Sequence, residues 1–184
     1  MRVVINEKHF GDKKIFSNLD LKLEEGSRYV VRGSSGRGKT TLMRMILSLD
    51  RDYLGYIEDP PKQPIAVFQE DRLIPFLTVG ANLEAVSKDK ERSKELLSAI
   101  GLSGEYNSPI ESLSGGMKRR VCIVRALLME YDWLLLDEPF EGLDEDAKKR
   151  SIDLILSSSK GKGIILITHS DEDADLIDGT VLNI

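Results

Sequence analysis

Only one cysteine, Cys122, one tryptophan and two histidines occur in 184 residues. A single thiol excludes an internal disulfide and fits a reducing compartment. No uninterrupted apolar run approaches the roughly 18 residues that a membrane span requires, and the opening MRVVINEKHF lacks the apolar segment of a secretory leader. The chain is therefore expected to be soluble by itself and cytoplasmic. Basic residues are not in excess. Lys and Arg number 26 against 31 Asp and Glu, a formal net charge of −5 that argues against nucleic acid as the main partner. There is no polybasic cluster or lipidation motif for direct anchoring to a membrane, no internal repeat and no low-complexity segment. What is present is ordinary for a globular chain: 41 % hydrophobic and 31 % charged residues, enough for one α/β domain carrying a small subdomain.

The most informative stretch runs from Tyr29 to Leu49, YVVRGSSGRGKTTLMRMILSL. Tyr29, Val30 and Val31 close a β-type segment, and Gly33-Ser34-Ser35-Gly36-Arg37-Gly38-Lys39-Thr40 matches the G-x-x-x-x-G-K-[ST] phosphate loop at every specified position. Glycines allow successive backbone N–H groups to turn inward on an anion, and the following helix offers the same phosphates its positive end. Lys39 then reaches the β- and γ-phosphates, and the Thr40 hydroxyl can ligate Mg²⁺. Leu42, Met45, Ile46 and Leu49, at i, i+3, i+4 and i+7, give that helix one buried stripe.

Around this loop the chain alternates strands and helices. Residues 2–7 and 18–24 read as strands of an antiparallel opening, with Leu19, Leu21 and Leu23 alternating against polar neighbours. Phe10 is a lone aromatic in a polar loop and could stack on a base. PIAVF at 64–68 is a buried-type strand that delivers Gln69 to its end, either as a turn cap or as a ligand-facing group. Residues 79–100 suggest a helical insertion. Ser114 is a good N-cap for a helix over KRRVCIVRALLME, whose early Lys118, Arg119 and Arg120 oppose the helix dipole. They read either as a solvated basic face or as a positive helix end, opened by Gly115 and Gly116, aimed at an external anion. The apolar strand 133–136 ends in Asp137 and Glu138, a costly pair unless a cation is near. Mg²⁺ on a nucleotide satisfies that need for Asp137, and Glu138 can take a proton from an attacking water. Asp144 caps another helix, and the strand 163–168 ends at His169.

Taken together, these segments resemble the ATP-binding cassette family over nearly the whole chain. Residues 33–40 resemble its Walker A, Gln69 its Q-loop glutamine, and Leu113-Ser114-Gly115-Gly116-Met117 its LSGGQ signature. Residues 134–138 resemble Walker B with the catalytic glutamate, 142–144 the D-loop, His169 the switch histidine, and Phe10 the aromatic that stacks on adenine. The resemblance implies a phosphate-loop NTPase fold: a mainly parallel core sheet flanked by helices, an antiparallel N-terminal β-subdomain and a small helical subdomain carrying the signature. Residues about 1–69 and 131–184 would form the core, and about 70–130 the helical part.

The implied activity is ATP hydrolysis in a head-to-tail dimer, with ATP and Mg²⁺ as cofactors. Gly33 to Thr40 and Thr41 would bind the phosphates, while Ser114, Gly115, Gly116 and Asp144 would complete the site of a second copy. Thr40, Gln69 and Asp137 would hold the metal, and Glu138, His169 and Gln69 would act in catalysis. Partners would be a second such subunit, integral membrane permease subunits and, indirectly, a solute-binding protein, which puts the chain on the inner face of the cell membrane. The segment 67–79 resembles the importers serving nitrate, sulfonate, taurine and thiamine-precursor uptake, with Leu73 to Leu77 facing the permease. Alternatives are an exporter accessory ATPase, a soluble cassette ATPase with a nucleic-acid or ribosomal partner, and a non-hydrolysing scaffold. Met117 replaces the signature glutamine, Arg37 adds a charge to the phosphate loop, and the chain reads as a near-minimal cassette.

Overall fold

The computed structural model describes residues 1–34 and 36–184, so Ser35 lies outside the described residues. Two compact units divide the chain: residues 1–65, 131–137 and 161–184 form one, and residues 66–130 and 138–160 the other.

The first unit contains two sheets. In the antiparallel sheet, β1 (Arg2–Phe10) lies between β2 (Lys13–Lys22) and β4 (Leu54–Glu58). Val3 and Ile5 of β1 are completely buried while their neighbours are partly exposed, the alternation of a sheet with one face on a core. Only Gly11 and Asp12 separate β1 from β2, with Gly11 at φ +55° as a two-residue turn needs. This corrects two sequence expectations. The second strand starts at Lys13, not residue 18, and Phe10 ends a strand paired with Lys13 instead of sitting in a loop.

The larger sheet has the strand order β5-β6-β7-β3-β8. In it β3 (Arg28–Arg32) runs parallel to β7 (Gly163–Ile167) and β8 (Thr180–Asn183), and β6 (Trp133–Asp137) runs parallel to β7. Every residue of β6 and β7 is buried, as expected of parallel strands covered on both faces. The edge strand β5 (Pro64–Val67) is where the chain leaves this unit. Helix α1 (Lys39–Ile46) follows β3 and α6 (Asp171–Ile177) follows β7, so the ends of β3, β6 and β7 carry the residues singled out from the sequence.

The second unit is helical. The insertion expected at 79–100 is two helices, α2 (Val79–Glu84) and α3 (Lys90–Ala99), because Thr78 and Asp89 each cap a start, accepting from Ala81 N at 3.1 Å and Arg92 N at 2.9 Å. Ser114 caps α4 (Gly115–Leu127), and Asp144 caps α5 (Glu145–Ser158), accepting from Ala147 N at 2.8 Å. Among the described residues no helix is long and apolar enough to cross a membrane.

Candidate functional site

In the first unit the phosphate-loop residues close on the strand ends. Gly38, at φ +96°, starts α1 without a side-chain cap, which leaves the first amides of the helix to an external acceptor. A Cβ at Gly38 would stand 2.4 Å from Ile15 Cγ2 and 2.7 Å from Phe16 Cζ, so glycine is required by the hairpin as well as by the turn. Lys39 is buried, and its Nζ donates to the Gly33 carbonyl at 2.8 Å and lies 3.2 Å from His169 Nε2. Thr40 Oγ1 donates to Asp137 Oδ2 at 2.6 Å, across 97 positions of sequence. Asp137 is 3 % exposed. A hydroxyl and a carboxylate in contact form a set of hard oxygen donors suited to Mg²⁺. Lys39, Thr40, Asp137 and His169 are thus brought together, with Gly33, Ser34, Gly36 and Gly38 around them, while the neighbouring Thr41 is buried in α1. Arg37, whose partner was not legible from the sequence, lies 3.4 Å from Ser34 Oγ through Nε.

The hairpin adds one residue that sequence reasoning missed. Lys13 Nζ lies 3.7 Å from where a Cβ of Gly36 would be, so an ammonium stands beside the phosphate loop. Reading Gly11-Asp12 as a two-residue turn would have found it, since that register makes Lys13 the partner of Phe10. Phe10 itself is 53 % exposed.

In the second unit, an open cleft of about 540 Å³ is lined by Gln69, Ser114, Gly115, Gly116, Glu141 and Asp144 among others. Gly115 has open space where a Cβ would be, whereas Gly116 closely approaches the Gly142 carbonyl. Gln69 Nε2 lies 3.3 Å from Glu141 Oε2, placing in the cleft a carboxylate that sequence reasoning overlooked. Glu138 opens the second segment of this unit at φ +47°, a left-handed conformation uncommon for a non-glycine residue and enriched at functional sites.

Two of the three basic side chains at the start of α4 are engaged within the unit. Arg119 is neither solvated nor aimed outward: it is 7 % exposed and donates to the carbonyls of Phe68 (2.6 Å) and Gln69. Arg120 Nη1 donates to the Ile100 carbonyl at 2.9 Å. Carbonyls left unpaired just past a strand or helix end need donors, and these guanidiniums supply them.

The loop after Gln69 is ordered by Asn82, which donates to the Ile74 carbonyl at 3.1 Å and accepts from Ile74 N at 2.8 Å. Two residues further, Phe76 is 79 % exposed.

Comparison with known proteins matches residues 16–141 to the ABC transporter family. An aliphatic sulfonates import ATP-binding protein of Pseudomonas savastanoi pv. phaseolicola, SsuB 1, is 34 % identical over 187 residues, covering 99 % of this chain and 79 % of that protein. The aliphatic sulfonates import ATP-binding protein SsuB of Bacillus subtilis is 37 % identical over 190 residues, covering 94 % and 74 %. Among solved structures, the dimeric bacterial ABC transporter cassette MJ0796 matches with a TM-score of 0.83 at 26 % identity, over 100 % of this chain and 93 % of that one. Its post-hydrolysis dimer bound to ADP and Pi matches with a TM-score of 0.82 at 27 % identity over the same shares.

Proposed function

Since this chain belongs to the ABC transporter family, we propose that it is the ATP-binding and ATP-hydrolysing subunit of a membrane importer. The alternatives of a nucleic-acid-directed ATPase and an exporter accessory ATPase are not favoured by relatives whose names specify import. The observation that carries the reading is the 2.6 Å hydrogen bond from Thr40 to Asp137, which joins the start of the phosphate-loop helix to the end of β6.

In this reading the loop amides and Lys39 would hold the β- and γ-phosphates of ATP, and Thr40 and Asp137, with Gln69, would hold Mg²⁺. Bound there, the metal would neutralise charge on the phosphate oxygens. Glu138 accepts a proton from the water that attacks the γ-phosphorus; the bond to the bridging oxygen breaks, giving ADP and phosphate. His169, in contact with Lys39, orients the γ-phosphate. Phe10 stacks on the adenine.

Ser114, Gly115, Gly116 and Asp144 face the nucleotide of a second copy, an assignment supported by their shared cleft and by the dimeric cassette. Closure of the two copies on ATP and reopening after hydrolysis would drive permease subunits on the inner face of the membrane. The exposed Phe76 and Ile74 supply the surface that meets them. Aliphatic sulfonates, named for the relatives, are the first solutes to test, delivered by a solute-binding protein.

The test is light scattering of Glu138→Gln with and without ATP, with Ser114→Arg in the same background as control. A monomer that doubles in mass only with ATP, and a control that does not, is the expected result. ATP-bound Glu138→Gln that stays monomeric while the complex with permease also fails to close would overturn the composite site.

A further inference from the structure

A buried ammonium beneath an exposed aromatic ring calls for a physical reason. Lys8 is 2 % exposed and stands two residues before Phe10 on β1. Its Nζ donates to Asp50 Oδ1 at 2.9 Å and to the Asp52 carbonyl at 2.6 Å, with Asp52 Oδ2 at 3.6 Å. Both acceptors lie in the segment after α1, the helix whose other end carries the phosphate loop. The same nitrogen is 4.7 Å from the centroid of the Phe10 ring, within the range of a cation–π contact. Because Phe10 is half exposed, ring surface away from the cation is left open.

The ring also stands beside the phosphate loop. Phe10 pairs with Lys13 across the hairpin, Lys13 lies against Gly36, and Ile15 and Phe16 of β2 occupy the space that a Cβ of Gly38 would need. Lys8 therefore ties the hairpin to the far end of α1, while β2 seats it on the near end.

We propose that Lys8 is a positioning residue for the base of the nucleotide: clamped by Asp50 and Asp52, it holds the Phe10 ring at a set distance from the phosphate loop and polarises it for stacking by a purine. The inference rests on the nucleotide reading above and names what supports the base platform. The charge draws the π-electron density of the ring toward itself. That lowers the repulsion between the ring's negative face and the face of an electron-rich base. A methionine at position 8 retains a stem of similar length and removes the charge.

Calorimetric titration of the full chain distinguishes positioning from simple support of the fold. ATP and inorganic tripolyphosphate, which presents phosphates without a base, are titrated into the wild type, Lys8→Met, Lys8→Arg, Phe10→Ala and the double variant Lys8→Met/Phe10→Ala. Lys8→Met is expected to weaken ATP about three- to tenfold, to leave tripolyphosphate within twofold of the wild type, and to add nothing in the Phe10→Ala background. Lys8→Arg should recover most of the loss. Equal weakening of ATP and tripolyphosphate by Lys8→Met would reduce Lys8 to a fold-supporting residue and overturn the proposal, as would unchanged binding of both. A wild type that binds neither ligand overturns the nucleotide reading, and the proposal with it.

Discussion

Arg119 Nη1 donates to the Phe68 carbonyl at 2.6 Å, and Nη2 donates to the carbonyl of Gln69, so the helix that begins at the signature serine grips the Gln69 loop by its backbone. Three residues along α4, Cys122 Sγ contacts the Asp71 carbonyl at 2.7 Å, and Arg125 Nη1 reaches the Arg72 carbonyl at 2.8 Å. One face of α4 thus addresses four of five consecutive loop residues. Displacement of the helix start must carry Gln69 with it, or break the part-buried hydrogen bonds of Arg119.

Arg119→Met leaves two carbonyls without their charged donor. The expected loss is about 3 kcal/mol, read as a fall in melting temperature of roughly 6–12 °C for a chain of this size. ATP turnover in the assembled transporter should fall as well. Differential scanning calorimetry and phosphate release measure the two effects, and a melting temperature equal to the wild type's would show that the guanidinium contributes nothing to holding the loop.

Asp137→Asn removes the carboxylate that accepts from Thr40. An amide cannot supply the same charge to Mg²⁺, so ATP hydrolysis should fall by about 100-fold or more, the scale seen when a charge-stabilising group is lost. Mg²⁺ should also cease to strengthen ATP binding in calorimetry. Retention of the metal dependence would remove Asp137 from the metal site.

Gly38→Ala combines a left-handed backbone with a Cβ that would meet Ile15 and Phe16. Backbone strain of about 1–2 kcal/mol and overpacking of about 1–3 kcal/mol act together. The variant should melt well below the wild type and lose affinity for ATP and tripolyphosphate alike, because the damage is to the loop and not to the base platform. Circular dichroism melts with a parallel titration of both ligands would check it.

Burial pushes the Cys122 thiol up to about 12. The folded chain then keeps this proton while the unfolded chain loses it above about pH 9, so the stability from the neutral thiol is complete below that pH and lost as pH rises toward 12. Stability of the wild type should therefore fall with pH more steeply than that of Cys122→Ala, by about 1.4 kcal/mol per pH unit between pH 9 and 12. Urea unfolding at pH 8, 9 and 10 gives the comparison; parallel slopes would contradict the assigned burial. At pH 8 alkylation should require opening of α4 or of the loop over it.

Much of the site was legible because its signals are local. The G-x-x-x-x-G-K-T spacing, the caps at Ser114 and Asp144, and the polar residues that end apolar strands at Asp137 and His169 follow from backbone and capping preferences within a few residues. A chain determines such features by itself, and the signature between the two phosphate-site segments carried the family. The sequence also held the hairpin register, in Gly11-Asp12, although reading Phe10 as a loop residue concealed it.

Tertiary structure decided the partners of the charges. Nothing local to Lys8 marks it as buried; the fold brings Asp50, 42 residues away, to its nitrogen. Arg119 read as part of a basic helix start until the Gln69 loop, 50 residues away, turned its carbonyls inward. A lysine or arginine has the same helix or strand preference whether it faces water or a buried acceptor. Desolvation makes the difference, and it depends on which distant segment covers the residue. The order of β3 between β7 and β8 is likewise a long-range outcome, and it brings Lys39 to His169 across 130 residues.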